Sequence, residues 1–468
     1  MNMEIYINVK NFGKIKSARV NIDNFTVFVG NNNSGKTQLM ELIYAIIKKS
    51  SEMSPEVEVS RDEKIDVVHI GHKVIEDLNE WLNKYLRDNI NKIIEETFNS
   101  NIPIEEVSME FKNIDRTYDI YFLTDRTIEY LLANQMIEQE ILEEMISNKE
   151  KYYGSFVLKK EDNGNMKGNI SSRYSQGIPL EWTERIELGG VLADIMGGRK
   201  SNSYNVLFLP ASRMGLMLLY KYYFESDKKE QEEFVYEIDE DSKGLTKPVA
   251  DFLSFLLRHI YTPRRAKENN ELLEFIFTNL IDGRIKEQGE TTTYTPRGNE
   301  KEIPIFVASS MVNEVVPIIK ALTDIRKVDF IFYDEVETSM HPLKQIEMVK
   351  LLNRLNNKGI RLLVSTHSDT MATKINNLLL LSQQDFTSRK MKDTLEKMGI
   401  YPEKGDLIDS SKIHVYQFVN DTDGKSMVEE LEFKKVPCTG YDFSLFNDST
   451  MSLFEEAKIA MGMNNEKN

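Results

Sequence analysis

The chain has 468 residues and a net charge of −16, with 41% hydrophobic and 29% charged residues. The length suggests about three domains, and the acidic balance disfavours broad nucleic-acid binding, so that any contact with DNA must be local. Its one cysteine, Cys438, excludes an intrachain disulfide. Because residues 1–10 lack an apolar signal region and no run of about twenty apolar residues occurs, we expect a soluble, cytoplasmic protein with no membrane partner.

The first predicted elements surround a glycine-bearing loop. Residues 4–12 and 18–22 alternate apolar and polar side chains, as strands with one buried face do, and residues 25–29 (FTVFV) are typical of a fully buried strand. A helix is predicted at residues 38–48. The loop at residues 30–37, GNNNSGKT, matches G-x-x-x-x-G-K-[ST] at every fixed position.

A glycine-rich turn between a strand and a helix directs several backbone N–H groups and the positive end of the helix dipole at one spot. This arrangement predicts a site for a nucleotide triphosphate and disfavours a chance match, but it leaves open whether the chain is a kinase, a GTPase or an ATPase. Lys36 is expected to reach the β- and γ-phosphates, and the Thr37 hydroxyl to bind Mg²⁺. The residues predicted to bind the nucleotide here are Gly30, Asn31, Asn32, Asn33, Ser34, Gly35, Lys36 and Thr37.

Residues 51–205 carry no nucleotide motif. Amphipathic helices are predicted at residues 74–98 and 128–152, and hairpins at residues 108–123 and 155–171. We therefore interpret this region as an insertion into the nucleotide-binding fold.

A buried strand is predicted at residues 206–209 (VLFL), and it is followed by Pro-Ala-Ser-Arg. Arg213 either places a cation near the nucleotide or a dimer partner, or is an ordinary surface arginine. The predicted segments are residues 1–50 as the N-terminal part of the ATPase domain, 51–205 as an inserted helical and hairpin region, and 206–468 as the C-terminal part with a helical insertion at about 216–300.

A helix is predicted to begin at Ser309 or Ser310 and to end near residue 322. Either serine suits the N-cap position, which is a purely structural role. The alternative is that the exposed N–H groups and hydroxyls of this helix start bind a γ-phosphate held by another subunit.

Residues 328–333 (VDFIFY) are predicted to form another buried strand, which delivers Asp334 and Glu335 at the edge where open α/β sheets bind ligands. An aspartate there can hold Mg²⁺, and a glutamate directly after it can orient or polarise the water that attacks the γ-phosphate. This pair favours hydrolysis over transfer to a substrate hydroxyl.

A third strand, residues 361–364 (RLLV), ends at Ser-Thr-His-Ser. His367 is expected to donate a hydrogen bond to the γ-phosphate or to the attacking water, and the alternative is a structural histidine. Lys36, Glu335 and His367 are the predicted catalytic residues.

The order and spacing of these motifs resemble the ABC/SMC-type ATPases of the RecF and overcoming-lysogenization-defect branch, many of which are ATPase subunits of bacterial anti-phage systems. The resemblance covers residues 1–50 and about 205–435. It implies an α/β fold, a P-loop NTPase head of ABC/SMC type with a mixed sheet, plus an inserted, mainly helical region. The motifs that carry it are GNNNSGKT, PASR, the ASS-x-x-N-E helix start, FIFYDEVETSMHP and VSTHS.

In that family ATP is held between two heads. By resemblance, Ser309 and Ser310 act in trans on the γ-phosphate, Asp334 serves Mg²⁺, Glu335 activates water and His367 senses the γ-phosphate. The implied assembly is a homodimer or a higher homo-oligomer that forms through the heads.

Two departures from the family pattern stand out. The usual LSGGQ glycines are missing from the helix start, and Val336 replaces a proline that many relatives have after Asp-Glu. Glu337 and His341 either line the seam between two heads or are surface residues. The residues after 381 are predicted to form strands at 412–419 and 426–433 with helices, and they lack the clustered Asp, Glu and His set of a two-metal nuclease.

We therefore expect an enzyme that hydrolyses ATP to ADP and phosphate with Mg²⁺, has no nuclease motif and controls a separate effector protein, in anti-phage defence. One alternative is an ATP-bound scaffold that sequesters an effector, or senses a phage protein, with little turnover. Another is a RecF-like DNA-repair ATPase, which requires a local basic face for DNA. A transporter ATPase is disfavoured because the signature glycines are absent.

Overall fold

The computed structural model describes most of the chain. No helix in this described part is long and apolar enough to span a bilayer. The described residues are 3–122, 124–134, 152–161, 166–175, 180–197, 206–211, 213–217, 244–288, 291–299, 301–384, 389–397, 403–434, 440–443, 452 and 454–458.

The strands and helices are numbered in chain order. The strands are β1 (Glu4–Phe12), β2 (Ile15–Asn21), β3 (Phe25–Gly30), β4 (Arg61–Asp62), β5 (Val67–Ile70), β6 (Glu106–Lys112), β7 (Arg116–Phe122), β8 (Tyr152–Glu161), β9 (Met166–Ser175), β10 (Val206–Leu209), β11 (Gly283–Gln288), β12 (Thr291–Pro296), β13 (Ile303–Pro304), β14 (Phe330–Tyr333), β15 (Arg361–Thr366), β16 (Ile413–Asn420) and β17 (Ser426–Glu430).

The helices alternate with the strands over much of the chain. They are α1 (Lys36–Ser50), α2 (His72–Phe98), α3 (Asp125–Ala133), α4 (Leu180–Met196), α5 (Lys247–Leu257), α6 (Pro263–Glu268), α7 (Asn270–Phe275) with a π-helical continuation (Ile276–Leu280), α8 (Ser310–Thr323), α9 (Pro342–Asn357), α10 (Asp369–Ser382) and α11 (Arg389–Lys397). Short 3-10 turns occur at Ile305–Val307 and Lys404–Asp406.

Nine strands form one mixed sheet in the order β10, β14, β15, β3, β16, β17, β2, β1 and β6. The first five run parallel to one another, and β17 runs parallel to β2. The β16–β17, β2–β1 and β1–β6 pairs are antiparallel. The expected α/β fold with a mixed sheet is confirmed, and the parallel half places the ends of β3, β14 and β15 side by side.

Strands β10 and β14 are buried over their whole length, which explains their uninterrupted apolar sequences, VLFL and FIFY. On β14, Phe330 and Phe332 pack on the face that α1, α2 and α4 cover. Ile331 and Tyr333 pack on the opposite face, which α8, α9 and α10 cover. Alternate residues therefore serve two separate cores, as the two-residue period of a strand requires.

The inserted region contains strands as well as helices. In addition to α2, α3 and α4 it forms a five-stranded antiparallel sheet in the order β4, β5, β7, β8 and β9. More of the described residues of this region lie in the three helices than in these five strands, in agreement with the expected, mainly helical region.

The two predicted hairpins of this region have different outcomes. The hairpin at residues 155–171 is confirmed, because β8 and β9 pair antiparallel, although its turn at 162–165 lies outside the described residues. The hairpin predicted at residues 108–123 is wrong. Its two strands enter different sheets, since β6 pairs with β1 while β7 pairs with β5 and β8. The alternation of apolar and polar residues identifies a strand but not the strand with which it pairs. Here both strands pair with strands that are distant in sequence.

The predicted helices of the insertions are partly described. The helix expected at residues 74–98 is α2. Of the helix expected at residues 128–152, only α3 is described, residues 135–151 lie outside the described part, and Tyr152 already belongs to β8. In the second predicted insertion, helices α5, α6 and α7 are followed by a small sheet of β11, β12 and β13.

Phe332 tests the core beneath the site. Its ring lies 5.6 Å from that of Tyr44 and 6.2 Å from that of Phe208, and the side chain is fully buried. We expect Phe332→Ala to lower the free energy of unfolding by about 3–5 kcal/mol, because the cavity cannot collapse among rigid rings. Urea unfolding followed by tryptophan fluorescence measures this, and Leu343→Ala, at a side chain that is 66% exposed, is the control. Equal unfolding midpoints for the two variants would contradict this packing.

Candidate functional site

Two glycines shape the loop between β3 and α1. Gly30 and Gly35 have φ angles of 152° and 90°, which other residues rarely adopt. A Cβ at Gly30 would lie 2.9 Å from Phe418 Cβ, and one at Gly35 would lie 2.8 Å from Ile15 Cδ1. Residues of the neighbouring strands β16 and β2 therefore pack closely against the loop, and loop residues 32–35 line the cavity at the start of α1.

Lys36 lies folded onto its own loop. Its side chain is buried, and Nζ donates hydrogen bonds to the Gly30 carbonyl at 2.9 Å, the Asn31 carbonyl at 2.8 Å and Ser34 Oγ at 3.2 Å. These contacts use the three donors of an ammonium group. The lysine is thus held in place by groups that a phosphate can replace.

Burial also shifts the acid-base equilibrium of Lys36. Removal from water lowers the pKa of its ammonium group to about 8, and the negative charges of Asp334, Glu335 and Glu337 oppose this shift. The charged form therefore predominates only below about pH 8 in the nucleotide-free chain. An anionic ligand in the cavity would restore the preference for the charged form.

Asp334 is the point where three chain segments meet. Its Oδ2 accepts a hydrogen bond from Thr37 Oγ1 at 2.7 Å, and its Oδ1 accepts one from Ser365 Oγ at 2.5 Å. Ser365 also accepts a hydrogen bond from the Glu335 N–H at 2.8 Å. Sequence reasoning passed over Ser365, although it begins the Ser-Thr-His-Ser segment. The hydroxyl and carboxylate oxygens of Thr37 and Asp334 fit the oxygen preference of Mg²⁺ and would hold it there.

Glu335 and His367 face each other at the edge of the cavity. Glu335 Oε1 lies 3.7 Å from His367 Nε2, and the Glu335 side chain is 42% exposed. Burial, and secondarily the Lys36 charge, lowers the pKa of His367 below its usual 6.5, against the opposing effects of Glu337 and Glu335. The imidazole is therefore mainly neutral at pH 7 and can both donate and accept a proton.

Glu337 and His341 were expected at a seam between heads or on the surface. The half-buried Glu337 accepts a hydrogen bond through Oε1 from the His367 backbone N–H at 2.5 Å, so it holds the backbone of that histidine. Its Oε2 is buried without a hydrogen-bond partner. The exposed His341 is the N-cap of α9 and accepts a hydrogen bond from the Leu343 N–H. The two residues thus have different roles within the described chain.

These elements enclose an open cavity of about 400 Å³. Lys14 and Gln38 were not predicted to belong to it. Lys14 lies in the β1–β2 turn, where its N–H donates a hydrogen bond to Gln38 Oε1 at 3.2 Å. A single lysine in a turn has no sequence signal, and only the sheet brings it here. The lining residues are Lys14, Asn32, Asn33, Ser34, Gly35, Lys36, Thr37, Gln38, Glu335 and His367.

Ser309 and Ser310 do not line this cavity. Ser309 is exposed and caps α8, where its Oγ accepts a hydrogen bond from the Val312 N–H at 3.5 Å. The Asn313 amide donates to the Ala308 and Ser309 carbonyls, both at 3.3 Å, and so fixes the turn before the helix. Within one chain Ser309 has the structural N-cap role and Ser310 is the first residue of α8. Because neither lines the cavity, contact of either serine with a γ-phosphate would require a second chain.

Arg213 is not the ordinary surface arginine of the second sequence interpretation. It is neither a surface residue nor a residue that lines the cavity, because its side chain is fully buried behind Asp334 and Glu335. The sequence signal was the arginine directly after a buried strand. Its buried position follows from β10 pairing with β14, which places the two strand ends together.

A glycine loop with a buried lysine, facing an Asp-Glu pair across parallel strands, defines a P-loop nucleotide-binding protein. The sequence matches the family described as AAA ATPase domain over residues 3–187 and 200–372, more than half of its length. The chain therefore belongs to the AAA ATPase domain family. No curated protein matches it significantly.

Solved structures with some likeness are SMC heads. They are the SmcHead bound to the C-winged helix domain of ScpA (TM-score 0.37, 12% identity, 92% of this chain and 97% of that chain), the Smc head with an extended coiled coil bound to the C-terminal domain of ScpA derived from Pyrococcus furiosus (0.35, 11%, 98% and 100%), and the SMC head from Thermotoga maritima (0.33, 11%, 92% and 100%). At these TM-scores the likeness is too weak to support a conclusion about activity or partners.

The pKa of Lys36 predicts how nucleotide affinity depends on pH. A triphosphate binds the charged form, so affinity should fall as pH rises through about 8, by roughly ten-fold per pH unit well above that value. Calorimetric titration with Mg²⁺ and a non-hydrolysable ATP analogue, from neutral to alkaline pH, measures this. Lys36→Arg is the control, because a guanidinium stays charged throughout and should abolish the pH dependence whatever its affinity. A wild-type affinity that does not change with pH would show that Lys36 does not titrate in this pH range.

Proposed function

We propose that the chain binds and hydrolyses ATP with Mg²⁺. The observation that carries this proposal is the convergence of Lys36, Thr37, Asp334, Glu335 and His367 at one cavity, although Thr37 and Asp334 are 297 positions apart. A structural role alone would not require a buried lysine, a half-exposed glutamate and a histidine with a lowered pKa around an open space.

Each of these residues has a separate role in the proposed hydrolysis. Lys36 exchanges its contacts with the loop carbonyls for the β- and γ-phosphate oxygens. When bound, Mg²⁺ neutralises phosphate charge, and Thr37 and Asp334 would hold it. Glu335 accepts a proton from the attacking water, and its exposed carboxylate lies on the open side of the cavity. His367 donates a hydrogen bond to the γ-phosphate from its neutral ring.

We propose further that two copies associate head to head, as a homodimer or within a larger homo-oligomer. The exposed Ser309 and the half-exposed Glu335 support this, because each is a polar group of the expected site that one chain leaves open to water. Docking the α8 start of one copy on the cavity of the other would exclude that water and add N–H donors to the γ-phosphate.

The order of the motifs supports a more specific proposal about the branch and the role of this ATPase. We place the chain in the RecF and overcoming-lysogenization-defect branch, as a cytoplasmic ATPase subunit that controls a separate effector in anti-phage defence. ATP-dependent association of heads is a two-state change that can hold or release a partner. The scaffold with little turnover, and the DNA-repair ATPase, are outcomes that the following experiment separates.

Glu335→Gln should bind ATP and lower the turnover rate by about 10²-fold or more, because the amide cannot accept the proton. Lys36→Ala should lose ATP binding. Phosphate release and mass in solution, with and without double-stranded DNA, measure both. Glu429→Gln, the same chemical change on the exposed face of β17, is the matched control.

The outcomes separate the candidate functions. If Glu335→Gln hydrolyses ATP at the wild-type rate, Glu335 does not have the proposed catalytic role. A large assembly that keeps ATP intact and ignores DNA would favour the scaffold. Turnover that rises with DNA would favour the RecF-like alternative.

A further inference from the structure

Behind the cavity a single arginine joins two parts of the proposed site. Arg213 Nε donates to Glu314 Oε2 at 2.6 Å, and both side chains are buried to within 1% exposure. Nη1 donates to the Pro210 carbonyl at 2.8 Å and to the Asp334 carbonyl at 2.6 Å, and Nη2 donates to the Glu335 carbonyl at 3.2 Å. The guanidinium carbon also lies 4.5 Å from the centroid of a tyrosine ring at the end of β14.

The Glu335 backbone needs such support. Its φ angle is 45°, in the left-handed region that costs a non-glycine residue of order 1–3 kcal/mol and that persists only where neighbouring contacts enforce it. Three contacts do so. Ser365 Oγ accepts from the Glu335 N–H at 2.8 Å, and the Glu335 carbonyl accepts from Arg213 and, at 3.1 Å, from the Thr338 N–H. Thr338 belongs to the same turn, so Ser365 and Arg213 are the two side chains on which the direction of the Glu335 side chain depends.

The other partner of Arg213 belongs to the helix that begins at Ser309. Glu314 lies five residues after that N-cap, and a helix rises 1.5 Å per residue, so the two are separated by about 7–8 Å along a rigid rod. Residues 312–316 are all buried, which restricts the helix to moving as a unit. A displacement of the α8 start thus reaches the Glu314 carboxylate.

We propose that Arg213 is a positioning residue that couples docking of a second copy at Ser309 and Ser310 to the orientation of Glu335. The inference rests on the proposed function, because it requires that heads dock and that Glu335 acts in hydrolysis. Contact with the partner's nucleotide shifts α8, Glu314 moves the guanidinium, and the guanidinium sets the Asp334 and Glu335 carbonyls. Rapid hydrolysis therefore requires that two heads are associated.

Ordinary stabilisation does not account for this arrangement. A buried ion pair is weak support for stability, since apolar residues of equal volume often do as well. Apolar residues cannot hold three carbonyls, whereas the flat guanidinium fork fixes all three at once. Burial raises the pKa of Glu314, and the Arg213 charge opposes this shift.

The test is Arg213→Lys, which keeps the charge and removes the fork. We expect ATP-analogue affinity and ATP-dependent association close to those of the wild type. We expect the turnover rate to fall by about 10-fold or more, because small misplacements of a reacting group have large effects. In the wild type the specific activity should rise with protein concentration as heads associate, and in Arg213→Lys it should stay flat.

A matched control separates coupling from loosening of the fold. Arg354 forms another buried ion pair, with Asp406 at 2.7 Å, and its ion-pair partners are Asp406, Glu403 and Glu271, none of which lines the cavity. Arg354→Lys should lower the unfolding temperature comparably and leave turnover unchanged. If Arg213→Lys fails to fold, Glu314→Gln, of equal volume, carries the same test.

Three results would overturn the coupling. They are turnover in Arg213→Lys within about two-fold of the wild type with the same concentration dependence, an equal loss in Arg354→Lys, or a loss that comes entirely from weaker nucleotide binding. A wild-type chain that does not hydrolyse ATP would be a different failure. That result would contradict the proposed function itself, and therefore also the coupling, which rests on it.

Discussion

The Asp334 carboxylate is the constraint on which the rest of the site depends. It is buried to 2% exposure and accepts hydrogen bonds from Thr37 at the start of α1 and from Ser365 at the end of β15. A buried carboxylate requires such partners, since leaving it unpaired would cost several kcal/mol. The same hydrogen bonds therefore satisfy Asp334 and bring three parallel strand ends to one point.

Around Asp334, burial and nearby charges shift the pKa of Lys36 in opposite directions. Burial weakens the charge of Lys36, and three nearby carboxylates restore part of it. Burial and the Lys36 charge both lower the pKa of His367, against the opposing effects of Glu337 and Glu335. A triphosphate would therefore enter a cavity whose cation is bound to its own loop, with Glu335 at the cavity edge and Asp334 held by Thr37 and Ser365. Binding would exchange the contacts of Lys36 with its loop for contacts with phosphate oxygens.

Much of the fold was predictable because its signals are local. The phosphate loop, the buried parallel strands and the helix starts follow from glycine positions, apolar runs and capping residues within a few positions of each other. The failures concern partners distant in sequence. The 108–123 hairpin was wrong because β6 and β7 pair with strands elsewhere, and no motif marks Lys14. Ser365 lies within the VSTHS motif, but its hydrogen bond to Asp334, 31 positions away, has no local signal.

By itself the sequence determined which residue types stand at the strand ends, and hence the nucleotide chemistry that they predict. Only the tertiary structure decided what those residues contact. Arg213 shows the difference, because a single arginine after a strand is compatible with a surface, a ligand or a core role. It became a buried link between Glu314 and Glu335 when β10 paired with β14. Pairing between distant strands is set by the sum of many weak contacts, and no short stretch of sequence contains that sum.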